Sequence, residues 1–236
     1  MVDIAKLYYF KGRGRAETTR WMLAANEIDF ENVSLSNPAD FENLKSTQKL
    51  PFNQLPLLEI DGLNLSQSAA MIGYLARRGG LYGDGQVEAV WCDMIAGATA
   101  DFNTPAMQFA FQPDPAVAKQ GLHASIVKFC PHFARILERN GGEFLVGARR
   151  SLADVVLAES LTSYLEIISD CLDEFPGIKD LQARVISEQG IAAYLRTPNR
   201  WRRPDDQYVI DVAAVLERAL PAHMPDPERF VVSRLS

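Results

Sequence analysis

Gln54-Leu55-Pro56-Leu57-Leu58-Glu59-Ile60-Asp61-Gly62-Leu63-Asn64-Leu65-Ser66-Gln67-Ser68 is the stretch that decides the fold. Leu55 to Ile60 is a short apolar run with a proline near its start, which reads as a strand. Asp61-Gly62 is a strong two-residue hairpin turn, because glycine tolerates the positive φ that such turns demand. Leu63 to Leu65 then pairs back. Ser68 to Arg78 carries Met71, Ile72, Tyr74 and Leu75 at helical spacing. Ahead of this unit, Ile4 to Phe10 reads as a strand, Ala16 to Asn26 as a helix, and Phe30 to Leu35 as a second strand. The order is β-α-β, then β-β-α.

Beyond Gly83 the pattern changes. Tyr82-Gly83-Asp84-Gly85-Gln86 reads as a linker, and nearly everything after it has helical period. Helices are expected over Glu88–Phe111, over Ala116–Asn140 with an interruption at Pro131, and over Ser151–Leu172. A shorter helix, Asp180–Leu195, and a final amphipathic segment, Tyr208–Leu220, follow. Ser151-Leu152-Ala153-Asp154 has capping-box spacing, with Asp in place of the usual Glu. Between Leu152 and Leu165 only Asp154 and Glu159 are charged, so that helix should lie in the core. The fold class is therefore α/β plus all-α: an α/β domain over residues 1–83 and an all-helical domain over 87–236.

Composition narrows the function. The chain of 236 residues is 47% hydrophobic and 23% charged, as soluble globular proteins are. A net charge of -6 argues against a general nucleic-acid binder. Residues 1–83 balance nine basic against nine acidic side chains, so the whole negative excess lies beyond them and an anion is less repelled by the first third. Cys92, Cys130 and Cys171 are odd in number, widely spaced and without a C-x-x-C, which points to reduced structural thiols. The amino-terminal residues lack a signal core and no apolar run could cross a bilayer, so a cytoplasmic protein is expected. His123, His132 and His223 show no ligand spacing, and no metal is expected.

Three places carry chemistry. Tyr9-Phe10-Lys11-Gly12-Arg13-Gly14-Arg15 sits where the first strand hands over to the first helix. The glycines allow close backbone approach, the helix N-terminus favours negative charge, and Arg15 adds a cation. A thiol held against the Tyr9 hydroxyl there would ionise more readily. A free thiol near pKa 8.5 is about 3% ionised at pH 7, and lowering that value by about two units takes about 2.7 kcal/mol. A core tyrosine with solvated arginines would leave the same string. At Gln54-Leu55-Pro56, a cis proline would turn the backbone of Leu55 outward to pair with a peptide ligand, and an ordinary edge-strand proline is the alternative. At Gln67-Ser68, Ser68 can cap the next helix, whose free N–H groups suit a carboxylate. Lys45 and Lys49 could serve a second carboxylate or simply form a solvated face.

Taken together, Leu7-Tyr8-Tyr9-Phe10, Gly12-Arg13-Gly14-Arg15, Arg20-Trp21, Gln54-Leu55-Pro56, Glu59-Ile60-Asp61-Gly62 and Gln67-Ser68 resemble the glutathione-binding domain of cytosolic glutathione transferases, as Ser151-Leu152-Ala153-Asp154 resembles the capping box of their helical domain. The pattern is closest to the alpha class, with sigma-like features at Lys45-Ser46-Thr47 and Leu50-Pro51-Phe52. The resemblance implies a thioredoxin-like first domain, a homodimer, and conjugation of glutathione, as co-substrate, to small apolar electrophiles. It implies Tyr9 as thiol activator, with Arg15 in support; Lys45 on the glycine carboxylate; Leu55 before a cis Pro56 on the cysteinyl part; and Gln67 and Ser68 on the γ-glutamyl group. Lys49 and Gln54 join this glutathione-binding set. Asp101 would reach the partner subunit's ligand, and Phe52 would be the aromatic key of the dimer interface. Phe10, Met107, Phe111 and Tyr208 are expected to line the second-substrate pocket, although Met107 and Phe111 could equally be helix packing and Tyr208 surface packing of a tail helix. Lys45 stands where the alpha class commonly has arginine, and Phe41 where sigma has tryptophan. The rivals are a glutathione-dependent prostaglandin isomerase or peroxidase, and a non-catalytic ligand carrier or crystallin-like protein on the same fold.

Overall fold

The computed structural model describes residues 4–224, so the last residues of the second expected domain, 225–236, and the first three residues lie outside it. Strands β1 (Ala5–Phe10) and β2 (Phe30–Leu35) run parallel, with Tyr9 opposite Ser34. Helix α1 (Glu17–Ala25) crosses between them after a 3-10 turn at Gly14–Ala16. Strand β3 (Leu57–Ile60) is antiparallel to β1, β4 (Leu63–Ser66) pairs with β3, and the sheet order is β2-β1-β3-β4. Asp61 and Gly62 have φ of 52° and 76°, the pair of positive angles a two-residue hairpin requires. Helix α3 (Ser68–Arg78) closes the unit, and the Asp61 carboxylate accepts hydrogen bonds from Tyr74 and Arg78 of that helix at 2.6 and 2.8 Å.

One helix here is not expected from the apolar pattern. Helix α2 (Pro38–Ser46) buries only Phe41 and Leu44, too few for a clear stripe. Its signals are at its start: the Asn37 side chain accepts the Asp40 N–H at 2.9 Å, and Pro38 occupies the first turn.

The rest is helical: α4 (Gln86–Gln108), α5 (Pro115–Arg139), α6 (Leu152–Leu165), α7 (Pro176–Ser187), α8 (Gln189–Arg196) and α9 (Asp206–Val215). Pro131 does not interrupt α5, where the flanking Cys130 and Phe133 are packed in the core. The expected helix to Leu172 stops at Leu165 and gives way to turns. The expected helix over Asp180–Leu195 is two helices, α7 starting on Pro176 and α8 separated from it at Glu188, whose ψ of 140° is extended. Helix α6 is the central one, as its apolar run implies; every residue from Leu152 to Leu161 is buried. Its capping box is present: Asp154 accepts the Ser151 N–H at 2.7 Å and also the Leu145 N–H at 2.7 Å.

The α/β part and the helices meet through polar as well as apolar contacts. Arg150 donates to the Ala24–Ala25 end of α1 at the Ala25 carbonyl, 2.9 Å away. Gly190 lies against the same end, where a Cβ would stand 2.1 Å from the Ala24 carbonyl oxygen, so only glycine permits this approach of α8. Among the described residues no helix is long and apolar enough to cross a membrane.

A buried carboxyl at this junction gives the fold a pH signature. Glu159 of α6 accepts hydrogen bonds from Thr18 and Ser163 at 3.2 and 3.3 Å. Burial pushes its pKa up from 4.5 to about 7, and the neighbouring Glu17 adds to the rise. The folded chain therefore holds a proton that the unfolded chain releases between those values, so this group's contribution to stability falls as pH rises from about 4.5 to 7. Glu159→Gln is expected to flatten the pH dependence of the denaturant midpoint across this window. Parallel profiles for the two proteins would place the titration elsewhere.

Candidate active site

Tyr9 and the turn that follows it form the centre of the site. Within β1, Leu7 and Tyr9 are buried on one side, whereas Tyr8 faces the carboxylate of Glu59, which, after burial, raises its pKa to about 12. The Tyr9 hydroxyl oxygen accepts the backbone N–H of Arg15 at 3.0 Å. That leaves its proton free to be donated elsewhere. In this structure the hydroxyl shares a hydrogen bond with the Tyr208 hydroxyl of α9 at 3.3 Å. Burial, then the Tyr9 neighbour, push the Tyr208 pKa up, so Tyr208 is protonated at neutral pH.

Glycines make this arrangement possible. A Cβ on Gly14 would stand 2.3 Å from the Tyr208 hydroxyl and 2.5 Å from that of Tyr9, and its φ is +40°. A Cβ on Gly12 would meet the Tyr208 ring at 2.2 Å. The tyrosine of the last helix thus packs directly on backbone that carries no side chain.

Beside Tyr9 lies a cavity of about 600 Å³. Its walls bring together Tyr9, Phe10, Arg15, Gln54, Leu55, Pro56, Gln67 and Ser68 from the sequence-derived set. Phe41, Asn53, Leu216 and Arg218 complete it, and sequence reasoning did not place them there. The Leu55–Pro56 peptide bond is cis. Gln67 has φ 68° and ψ 115°, and its side-chain amide donates to Gln54 Oε1 at 2.9 Å. Ser68 does not cap α3: it is the first helical residue, and Gln67 occupies the cap position without a side-chain bond to the helix. The leading N–H groups of α3 are therefore left for another acceptor.

Other expected residues lie elsewhere. Lys45 and Lys49 do not line this cavity: Lys45 pairs with Glu42, one turn earlier on α2, and lies over the Phe41 ring, while Lys49 pairs with Glu59 at 2.6 Å. Phe10, Met107, Phe111 and Tyr208 do not share one open pocket. Phe10 packs edge-on against Tyr9, and Met107 borders a separate small cavity of about 30 Å³ beside Arg13 and Glu159. Phe111 meets the Tyr208 ring edge-on at 6.2 Å. The space between these residues is filled because α9 lays Tyr208 into it. Asp101 is exposed on α4, and Phe52 is 63% exposed on the turn before Asn53. Among the described residues no group of three or more His, Cys, Asp or Glu side chains could hold a metal ion.

A thioredoxin-like sheet, a tyrosine hydroxyl, a cis proline and an open helix N-terminus thus surround one cavity. Comparison with known proteins gives the family. The family model "Glutathione S-transferase, N-terminal domain" matches residues 5–77, and "Glutathione S-transferase, C-terminal domain" matches 100–198. "Glutathione S-transferase 3" of Gallus gallus is 36% identical over 215 residues, covering 89% of this chain and 93% of its own length. A solved Nu-class glutathione transferase from Haemonchus contortus has a TM-score of 0.71 and 32% identity, covering 86% of this chain and 98% of that one. A solved prostaglandin synthase D of Nilaparvata lugens has a TM-score of 0.69 and 28% identity over 83% of this chain and 98% of its own. The chain belongs to the glutathione S-transferases, and is an enzyme of that family.

Gly14→Ala tests the packing of this centre. The added methyl has no room between the two hydroxyls. We expect a loss of about 1–3 kcal/mol in stability and at least about a tenfold fall in transferase turnover, measured by chemical denaturation and by a chromogenic electrophile. Wild-type turnover in this variant would mean that neither tyrosine is fixed by the turn.

Proposed function

We propose that this protein conjugates the thiolate of glutathione to apolar electrophiles, with Tyr9 donating the hydrogen bond that holds the sulfur anion. The observation that carries this is the Tyr9 hydroxyl, which lines the cavity, accepts the Arg15 N–H and keeps its donor for a hydrogen bond that it shares here with the Tyr208 hydroxyl. A sulfur arriving there competes with the Tyr208 hydroxyl for that donor. Arg15, lining the same cavity, favours the anion further. The backbone of Leu55 pairs with the cysteinyl residue, and Gln67 and Ser68 with the γ-glutamyl group, which meets the free N–H groups of α3.

The chemistry asks little more of the chain. The thiol proton leaves for solvent, the sulfur attacks the electrophilic carbon, and the leaving group departs with its bonding pair or the acceptor takes up a proton. Lowering a thiol pKa from about 8.5 to about 6.5 raises the ionised fraction at pH 7 roughly 25-fold, and holding the partners together adds an effective concentration. The chain's own thiols do not compete. Burial raises all three, Cys130 to about 12 and Cys171 to about 11.

A glutathione-dependent isomerase would use the same thiolate, and the likeness to the solved Nilaparvata lugens prostaglandin synthase D favours keeping it as the second reading. The assembly proposed is a homodimer. Phe52 and the exposed apolar face of α4, with Val87, Val90, Trp91 and Met94, are surfaces that a second copy would cover, and Asp101 lies on that helix. A cytoplasmic location fits a glutathione-using protein.

The decisive measurement is the ultraviolet absorbance of bound thiolate across pH. Wild type should titrate one to two units below free glutathione. Tyr9→Phe should move that value back up and lower kcat/KM at pH 7 by about 10- to 100-fold. Glutathione bound with an unshifted thiol would leave a ligand carrier.

A further inference from the structure

We infer that Arg218, just past the end of α9, binds the glycyl carboxylate of glutathione and makes the carboxy-terminal segment part of the glutathione site. This rests on the glutathione reading above. The cavity is lined by Gln67 and Ser68 at the start of α3, by Phe41 of α2, and by Leu216 and Arg218 just beyond α9. Helix α9 packs against α2 and β1, which sets the residues following it beside α2. An extended peptide whose γ-glutamyl group meets α3 carries its other carboxylate towards α2.

A carboxylate at that end needs a cation, and the lysines nearest in sequence are engaged. Lys45 pairs with Glu42 and Lys49 with Glu59, and neither lines the cavity. Arg15 lines it, but its backbone N–H anchors it next to the Tyr9 hydroxyl, at the thiol position. Arg218 is exposed to the cavity and, among the described residues, forms no ion pair.

The backbone holds Arg218 in place. The chain reverses at Glu217, whose φ of 50° lies in the left-handed region. Arg218 N–H then bonds back to the Ala213 carbonyl at 2.9 Å, and Glu217 N–H to Ala214 at 3.2 Å. This paired reversal ends the helix and turns the arginine towards the cavity instead of onward along the axis. The guanidinium's planar fork also matches a carboxylate better than an ammonium does. A cation at a helix C-terminus could serve the helix dipole alone. That role would affect folding and not discriminate between ligands.

The test compares glutathione with its glycyl monoethyl ester, which keeps the tripeptide and removes the charge of that carboxylate. Dissociation constants for both are measured on the full chain, for wild type, Arg218→Gln, Arg218→Lys and Lys45→Gln. Wild type should prefer the acid. Arg218→Gln should weaken glutathione by roughly tenfold and leave the ester within about twofold, with Arg218→Lys between. Equal weakening of both ligands, or no weakening of either, overturns the assignment, as does an acid-specific loss that appears only in Lys45→Gln. If wild type binds neither peptide, it is the glutathione reading itself that fails.

Discussion

The site depends on one buried ion pair. Arg20, 1% exposed, donates to Glu17 at 3.1 Å and also to the carbonyls of Gly12 and Arg13 at 3.1 and 3.2 Å. Its Nε reaches Asn32 of β2 at 2.8 Å. Glu17 in turn accepts from Trp21 at 3.2 Å and from the Tyr194 hydroxyl of α8 at 3.0 Å. The turn that presents Tyr9 and Arg15, the edge strand and the helical part are thus fixed by the same two side chains. Removing one partner of such a pair costs about 3–5 kcal/mol, because the other is left charged and dry. Apolar replacements could fill the volume, but they could not hold the two turn carbonyls.

Much of this was legible in the sequence, for physical reasons. The hairpin announces itself through Asp61-Gly62 between apolar runs, and α6 through a run in which only Asp154 and Glu159 are charged. Tyr9 and the glycine turn sit at a strand-to-helix handover that local pattern places well. Helix α2 was hidden because two buried residues make no periodic signal, although Asn37-Pro38 is a readable start. Lys49 was legible as a charge but not as a pair, since Glu59 comes from a strand ten residues away, and Lys45 could pair with Glu42 only once α2 was known to be a helix. Arg218 was hidden for a similar reason. The usual marker of a left-handed helix end is glycine, and here the position is Glu217.

The two walls of the cavity differ in kind. The Tyr9 side is set in buried, hydrogen-bonded backbone. The α9 side is a helix capped by Asp205, whose side chain accepts the Tyr208 N–H at 3.0 Å, with Tyr208 lying against Gly12 and Gly14 and Val209, Ala213 and Val215 buried. One wall is therefore the strand-to-helix turn of the α/β part, and the other is a separate helix laid against it.

That wall also comes last in the chain. Tyr9, Gln54, Leu55, Gln67 and Ser68 all precede residue 70, whereas Leu216 closes the cavity from near the other terminus. At a synthesis rate of about 5–20 residues per second, the roughly 150 residues between Ser68 and Leu216 take on the order of 7–30 s to add. Over that interval one side of the cavity has been synthesised and the other has not. The cavity is thus complete only once residues from both stretches of the chain have met.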